Sequence, residues 1–227
     1  MIEIIPAILP HSFEELEDAL SRLCGVTREV QLDVVDGHHA AAVTWPLDGG
    51  KSRAQFERIA AQEEGLPFWE DFDFEVDLML KDPLSALHAW TSAGVARIVI
   101  HADSDCALEV AQAAREEGVV GVGIALRCDA PPAALAPFHG LYDYVQVMGI
   151  ATVGYQGQPP DERALALVRQ LRALYPDLMI QVDGGVRKEN IRALRDAGVN
   201  RLIVGSAILK SSDPARAIKE LQSEANA

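Results

Sequence analysis

Cysteine is scarce in this 227-residue chain, and its three positions, Cys24, Cys106 and Cys128, are odd in number, far apart and in no metal-ligand spacing. That excludes a disulfide framework, and all three read as reduced, structural thiols of a cytoplasmic protein. Basic residues are also short: 20 Lys and Arg stand against 34 Asp and Glu, a formal charge of -14 with no basic cluster to interrupt it. Such a field repels nucleic acid and anionic membrane surfaces, so neither is an expected partner. No apolar run approaches the ~18 residues of a membrane span, and no basic leader precedes the N-terminal strand. The 17 glycines form no dinucleotide-binding fingerprint. Low-complexity linkers are missing too, so the 49% of hydrophobic residues are expected to build one large core, a single domain over 1–227.

What is there alternates. Runs with β character near 2–8, 28–35, 73–80, 96–101, 119–126, 142–148, 178–183 and 201–205 are separated by amphipathic helical runs at 12–23, 51–62, 83–93, 104–117, a short piece near Pro132, 161–174, 188–197 and 213–223. Eight βα units predict an α/β fold, a single (β/α)8 TIM barrel rather than an open doubly wound sheet. Two strands run into small residues before a helical segment, at Val182-Asp183-Gly184-Gly185-Val186 and Val204-Gly205-Ser206-Ala207-Ile208. Strand ends of this kind present backbone N–H groups to a phosphate, so the chain is expected to hold a phosphorylated small molecule.

Alternate residues of a barrel strand face the interior. With Val30, Leu32 and Val34 turned outward under the helices, Gln31 and Asp33 face in. With Phe74, Val76, Leu78 and Leu80 outward, Glu75, Asp77 and Met79 face in, and the same parity puts Gln181 and Asp183 inside. Asp33, Asp77 and Asp183 fall late in their strands, at the end where barrel enzymes keep their chemistry. A polar interior is costly without a purpose. A hydrogen-bonded structural network is the alternative for any one of the three.

Taken in order, Pro6-Ala7-Ile8-Leu9, Leu32-Asp33-Val34-Val35-Asp36-Gly37-His38, Val76-Asp77-Leu78-Met79, Ile100-His101, Met148 with Gly154-Tyr155-Gln156-Gly157-Gln158, and the two glycine-bearing strand ends resemble the ribulose-phosphate 3-epimerases over nearly the whole chain. The resemblance implies a barrel of the ribulose-phosphate-binding type. It also implies a sugar-phosphate isomerase that moves a proton on and off the carbon beside the carbonyl of a ketose phosphate, of the ribulose 5-phosphate/xylulose 5-phosphate kind. Asp33 and Asp183 stand at the positions of the two catalytic acids, and a divalent metal is implied beside the enediolate. Gly154, Tyr155, Gln156, Gly157, Gly184, Gly185, Gly205 and Ser206 match the phosphate cradle, and Met79, Met148 and His101 match the lining of the site. Core filling explains the two methionines equally well, and a structural role is the commoner one for a lone histidine. A homo-oligomer is implied as well.

Departures from the family pattern are specific. Gln31 and Asp77 replace two metal-ligating histidines, Ala7 replaces a substrate-contacting serine, and Arg127 replaces an asparagine at the end of the fifth strand. The loop at 38–50 lacks a Pro-Asn pair, and Val153 and Gln156 replace a proline and a glycine. Two outcomes follow. Gln31, Asp33, Asp77 and Asp183 hold a metal through oxygen alone, favouring Mg²⁺ or Mn²⁺ over Zn²⁺. Otherwise there is no metal cofactor, and at least one carboxyl pKa rises or a cation is supplied from the protein. By strand parity Arg127 is a candidate for that cation, or else it snorkels from the barrel mouth. The alternative to an epimerase, suggested by the lost histidines, is a barrel that binds a phosphosugar without epimerising it. His38 and His39 read as a surface loop, because neighbours on extended chain point apart. Trp45, Trp69 and Trp90 read as buried under the rim or at a subunit contact, and Glu63, Glu64, Glu70, Asp71 and Asp73 as a solvated connection.

Overall fold

A computed structural model describes residues 1–118 and 121–227. Within them β1 (Glu3–Ile8), β2 (Glu29–Val35), β3 (Asp73–Met79), β4 (Arg97–His101), β5 (Gly121–Leu126), β6 (Tyr144–Met148), β7 (Met179–Asp183) and β8 (Arg201–Val204) pair in sequence order into a closed parallel barrel. Around it run α1 (Phe13–Leu23), α2 (Gly50–Ala60), α3 (Leu84–Ser92), α4 (Ala107–Glu116), α5 (Glu162–Leu174), α6 (Ile191–Ala197), α7 (Ser206–Leu209) and α8 (Pro214–Asn226). None of the described helices is long and apolar enough to cross a membrane.

Local chemistry sets the ends of several helices. Ser12, Asp161 and Asp213 accept hydrogen bonds from the backbone N–H groups of Glu15, Arg163 and Arg216, satisfying donors that the first turn leaves open. Three helical expectations change. The piece near Pro132 is a 3-10 helix over Pro132–Phe138, with Pro137 inside it removing a backbone donor. The run expected at 188–197 begins as a helix only at Ile191, because Asn190 folds back, its Oδ1 accepting from the Arg187 N–H (2.8 Å) and its Nδ2 donating to the Gly185 carbonyl (2.9 Å). The run expected from 104 begins at Ala107, after Cys106 at φ 56°. The first two positions of the strand expected at 119–126 lie outside the described residues.

Strand parity holds. Val30, Leu32, Val34, Phe74, Val76 and Leu78 are buried between sheet and helices in the main apolar core. Phe13, Trp45, Phe56 and Trp90 stack there as one aromatic group, whereas Trp69 is exposed. Inside the barrel the filling is unusually polar: Gln31, Glu75, Asp77, His101, Gln146 and Gln181 are fully buried.

Glu75 anchors the lower part of that interior. It accepts hydrogen bonds from Tyr144 Oη (2.7 Å), Arg97 Nε (2.9 Å) and Gln181 Nε2 (2.9 Å), while the other arm of Arg97 reaches Glu29 (2.8 Å). Gly123 makes room for this arrangement, since a Cβ there would lie 2.6 Å from Tyr144 Cζ. Gly123→Ala is therefore expected to cost about 1–3 kcal/mol, as overpacking of a filled interior does. A wild-type urea midpoint would contradict it.

Candidate active site

Register brings the acidic strand ends together. Asp33 pairs with Asp77 across β2 and β3, and Met148 pairs with Asp183 across β6 and β7. One carboxylate oxygen from each of Asp33, Asp77 and Asp183 lies within 4.8 Å of the others. Gln31 Nε2 donates to Asp33 Oδ1 (3.0 Å) and reaches Asp183 Oδ2 (3.4 Å), bridging the two. Among the described residues its Oε1 is buried without a partner. Asp77 is held on both oxygens, by His101 Nε2 (3.0 Å) and by Gln146 Nε2 (2.7 Å), and Gln181 in turn donates to Gln146 (2.7 Å). Exposure separates the roles: Asp77, Gln31 and His101 are at 0%, while Asp33 at 5% and Asp183 at 8% are the two members of the acidic trio that line the open cavity.

Three converging carboxylates in a poorly solvated place cannot all ionise cheaply. Burial, with Asp77 beside it, pushes the Asp33 pKa up to about 8. Burial and the nearby Asp33 and Asp77 likewise raise Asp183 well above the usual carboxylate range. Around neutral pH, with no cation bound, the pair thus holds at least one proton. In the unfolded chain an Asp titrates at about 3.9, so between pH about 4 and pH about 8 the folded protein keeps a proton that the unfolded chain has released. This contribution to stability is fully present below the lower value and is lost as pH rises through the upper one. In chelator, Asp33→Asn should match wild type near pH 4 and gain a growing advantage in urea midpoint up to about pH 8. A constant difference across that window would contradict it.

Above the carboxylates opens a cavity of about 570 Å³. Met79 and Met148 form its apolar wall, and Gly154, Tyr155, Gln156, Gly157, Gly184, Gly185, Gly205 and Ser206 line it. All eight residues expected for the phosphate cradle are thus brought to one opening. Gly184 and Gly185 have φ 92° and 67°, and a Cβ would lie 2.9 Å from Ile150 Cγ1 at the first and 2.7 Å from Pro160 Cα at the second, so glycine is required at both. Gln156 Nε2 donates to the Ala7 carbonyl (3.1 Å) and its side chain packs over Gly205. The amide ties the 154–157 loop to β1 across the place where Ala7 has no hydroxyl to offer. Arg187, Lys188 and Lys210 also line the cavity. They lie on connections without periodicity, and only their position after phosphate-type strand ends could have marked them.

Two expectations change at the rim. Arg127 does not line the cavity: it donates to the Ala151 carbonyl (3.2 Å) and pairs with Asp129 (3.5 Å), with its side chain 39% exposed. Strand β5 ends at Leu126, so inward parity stops before Arg127 and the guanidinium runs along the mouth. His38 is exposed as expected, but His39 turns inward, its side chain 9% exposed and its ring 4.8 Å from that of His101. Asp36 causes this turn, its Oδ1 accepting from the backbone N–H groups of both His38 (2.8 Å) and His39 (2.9 Å).

Comparison with known proteins agrees with this geometry. A profile of the ribulose-phosphate 3 epimerase family matches residues 3–209. The chain is 28% identical to ribulose-phosphate 3-epimerase of Bacillus subtilis, covering 98% of this chain and 99% of that protein. It is 27% identical to the protein of that name from Schizosaccharomyces pombe, over 97% and 92% of the two chains. Among the many solved structures that match, 3-hexulose-6-phosphate synthase from Salmonella typhimurium superposes with a TM-score of 0.69 at 18% identity over 99% of both chains. Orotidine 5'-monophosphate decarboxylase from Sulfolobus solfataricus gives a TM-score of 0.62 at 13% identity over 100% and 98%. These last two share the fold.

Proposed function

Because the chain belongs to the ribulose-phosphate 3-epimerase family, we propose that it epimerises a ketose phosphate of the ribulose 5-phosphate/xylulose 5-phosphate kind through an enediolate. The observation that carries this reading is the placement of Asp33 and Asp183 as the two carboxylates of the trio that face the cavity, both held above the usual carboxylate range by burial and by the neighbouring carboxylates. Two-sided proton transfer needs one of the two ionised and the other protonated: the ionised carboxylate removes the proton beside the carbonyl, and the protonated one delivers a proton to the opposite face. Met79 and Met148 flank the reacting carbons and keep water from them. The phosphate rests on the glycine-bearing loops, with Arg187, Lys188 and Lys210 supplying cations at an opening that Glu189 and Glu220 also line.

The residues present suit a divalent cation. Among the described residues Gln31 Oε1 is a buried acceptor without a partner, on the amide whose Nε2 reaches Asp33 and Asp183, so turning that amide over presents an oxygen to the side where Asp33, Asp77 and Asp183 converge. Such an all-oxygen set favours Mg²⁺ or Mn²⁺ over Zn²⁺, and a cation held there would neutralise the charge that develops on the enediolate oxygens. Without it, the Gln31 amide bridging Asp33 and Asp183 is the group that holds the two carboxylates together. The test is conversion of D-ribulose 5-phosphate by metal-stripped protein with Mg²⁺, Mn²⁺ or Zn²⁺ added in turn. Turnover restored best by Mg²⁺ or Mn²⁺ is expected. Tight binding of the sugar phosphate without conversion under every condition would replace this reading with a binding protein.

A further inference from the structure

We propose that His39, His101 and Asp103 form a second cation site at the barrel rim, of the class taken by Zn²⁺, separate from the all-oxygen site and joined to it through Asp77. One ligand atom from each of the three lies within 4.8 Å of the others, and His39 Nε2 is 3.9 Å from Asp103 Oδ1. The independent observation is at His101. Its Nε2 is taken by Asp77 (3.0 Å), and the nitrogen left over, Nδ1, is buried without a partner among the described residues, on a ring with no exposure. A carboxylate that receives one imidazole N–H while the other ring nitrogen is free is the outer half of a carboxylate–histidine–metal arrangement.

The chain builds the rest from two turns. Asp36 holds the 37–39 segment through the His38 and His39 amides and binds the Lys81 N–H (2.7 Å) through its second oxygen. After β4, Ser104 closes onto the His101 carbonyl with its backbone N–H (3.1 Å) and its hydroxyl (2.7 Å), which places Asp103 beside the two rings. Metal–nitrogen bonds of about 2.0–2.1 Å put tetrahedral ligand atoms ~3.3 Å apart, so the cluster must draw in by about 1.5 Å at most. The half-exposed Asp103 side chain can supply that by torsion, and it leaves an entry path from solvent. Two imidazoles and a carboxylate suit a borderline cation, where the inner set of oxygens suits a hard one. A bound cation takes the place of a proton on His101 Nδ1 and fixes Nε2–H toward Asp77.

The test is Zn²⁺ retention at saturating Mg²⁺, read by dialysis and elemental analysis, on wild type, His39→Ala, Asp103→Asn and Asp33→Asn. Loss of an outer-shell partner already weakens metal binding about 10- to 100-fold, and loss of a ligand is expected to cost at least that. Wild type and Asp33→Asn should keep one Zn²⁺ per chain, and both His39→Ala and the exposed, fold-neutral Asp103→Asn should lose it. Zn²⁺ kept by the rim variants and lost from Asp33→Asn, or no retention by wild type, would overturn the proposal. The readout is independent of sugar-phosphate turnover, so failure of the proposed activity leaves it standing.

Discussion

Asp183→Asn lowers kcat for epimerisation by about 10²- to 10⁴-fold, the usual size of a positioned acid–base contribution. KM changes little, because the phosphate loops that carry binding energy are untouched. The variant is at least as stable as wild type, since the raised pKa of Asp183 means that its ionised form is disfavoured where it sits. That gain separates a catalytic loss from a folding loss. A second signature follows from the two-sided geometry. Asp33 remains able to remove and return a proton on its own face, so the variant should still exchange with solvent the C3 proton of the one epimer whose C3–H faces Asp33, while failing to invert the carbon. Wild-type turnover, or loss of folding in place of loss of activity, would contradict the assignment.

Glu75→Ala costs about 3–5 kcal/mol, the penalty for breaking a buried ion pair from one side. Its carboxylate is fully buried and accepts from Arg97, Tyr144 and Gln181, so truncation strands a tyrosine hydroxyl, an amide and part of a guanidinium in the barrel interior. Against a typical total stability of about 5–15 kcal/mol, that is enough to shift the folded population at physiological temperature. Glu75→Gln keeps the shape and one acceptor and should lose less. Denaturant midpoints measure both. A change under about 1 kcal/mol for Glu75→Ala would mean that water or relaxation rescues the network.

The inner faces of the strands could be read from sequence because side chains alternate with a period of two and the outward positions are strongly apolar. Gln31, Asp33, Glu75, Asp77, Met79, Gln181 and Asp183 are inside for that reason. The phosphate loops could be read because small residues at strand ends have a steric cause, visible at Gly184 and Gly185. What lay outside periodic segments could not. His39 turns inward because of two hydrogen bonds to Asp36, a matter of side-chain geometry rather than pattern. Arg127 leaves the lumen because β5 stops one residue earlier. Helix α7 is four residues long, too short to carry a helical repeat. Charged residues of no regular element, Lys188 and Lys210 among them, reach the cavity only through the paths of the loops.

Position-specific deuterium incorporation is the decisive measurement. Wild-type protein with Mg²⁺ is mixed with D-ribulose 5-phosphate in heavy water, and the carbon-bound hydrogens of substrate and product are followed by NMR. Proton transfer between opposed Asp33 and Asp183 predicts xylulose 5-phosphate carrying one deuteron at C3 and none elsewhere. Inverted product without deuterium at C3, or recovered ribulose 5-phosphate with neither inversion nor label, would contradict it.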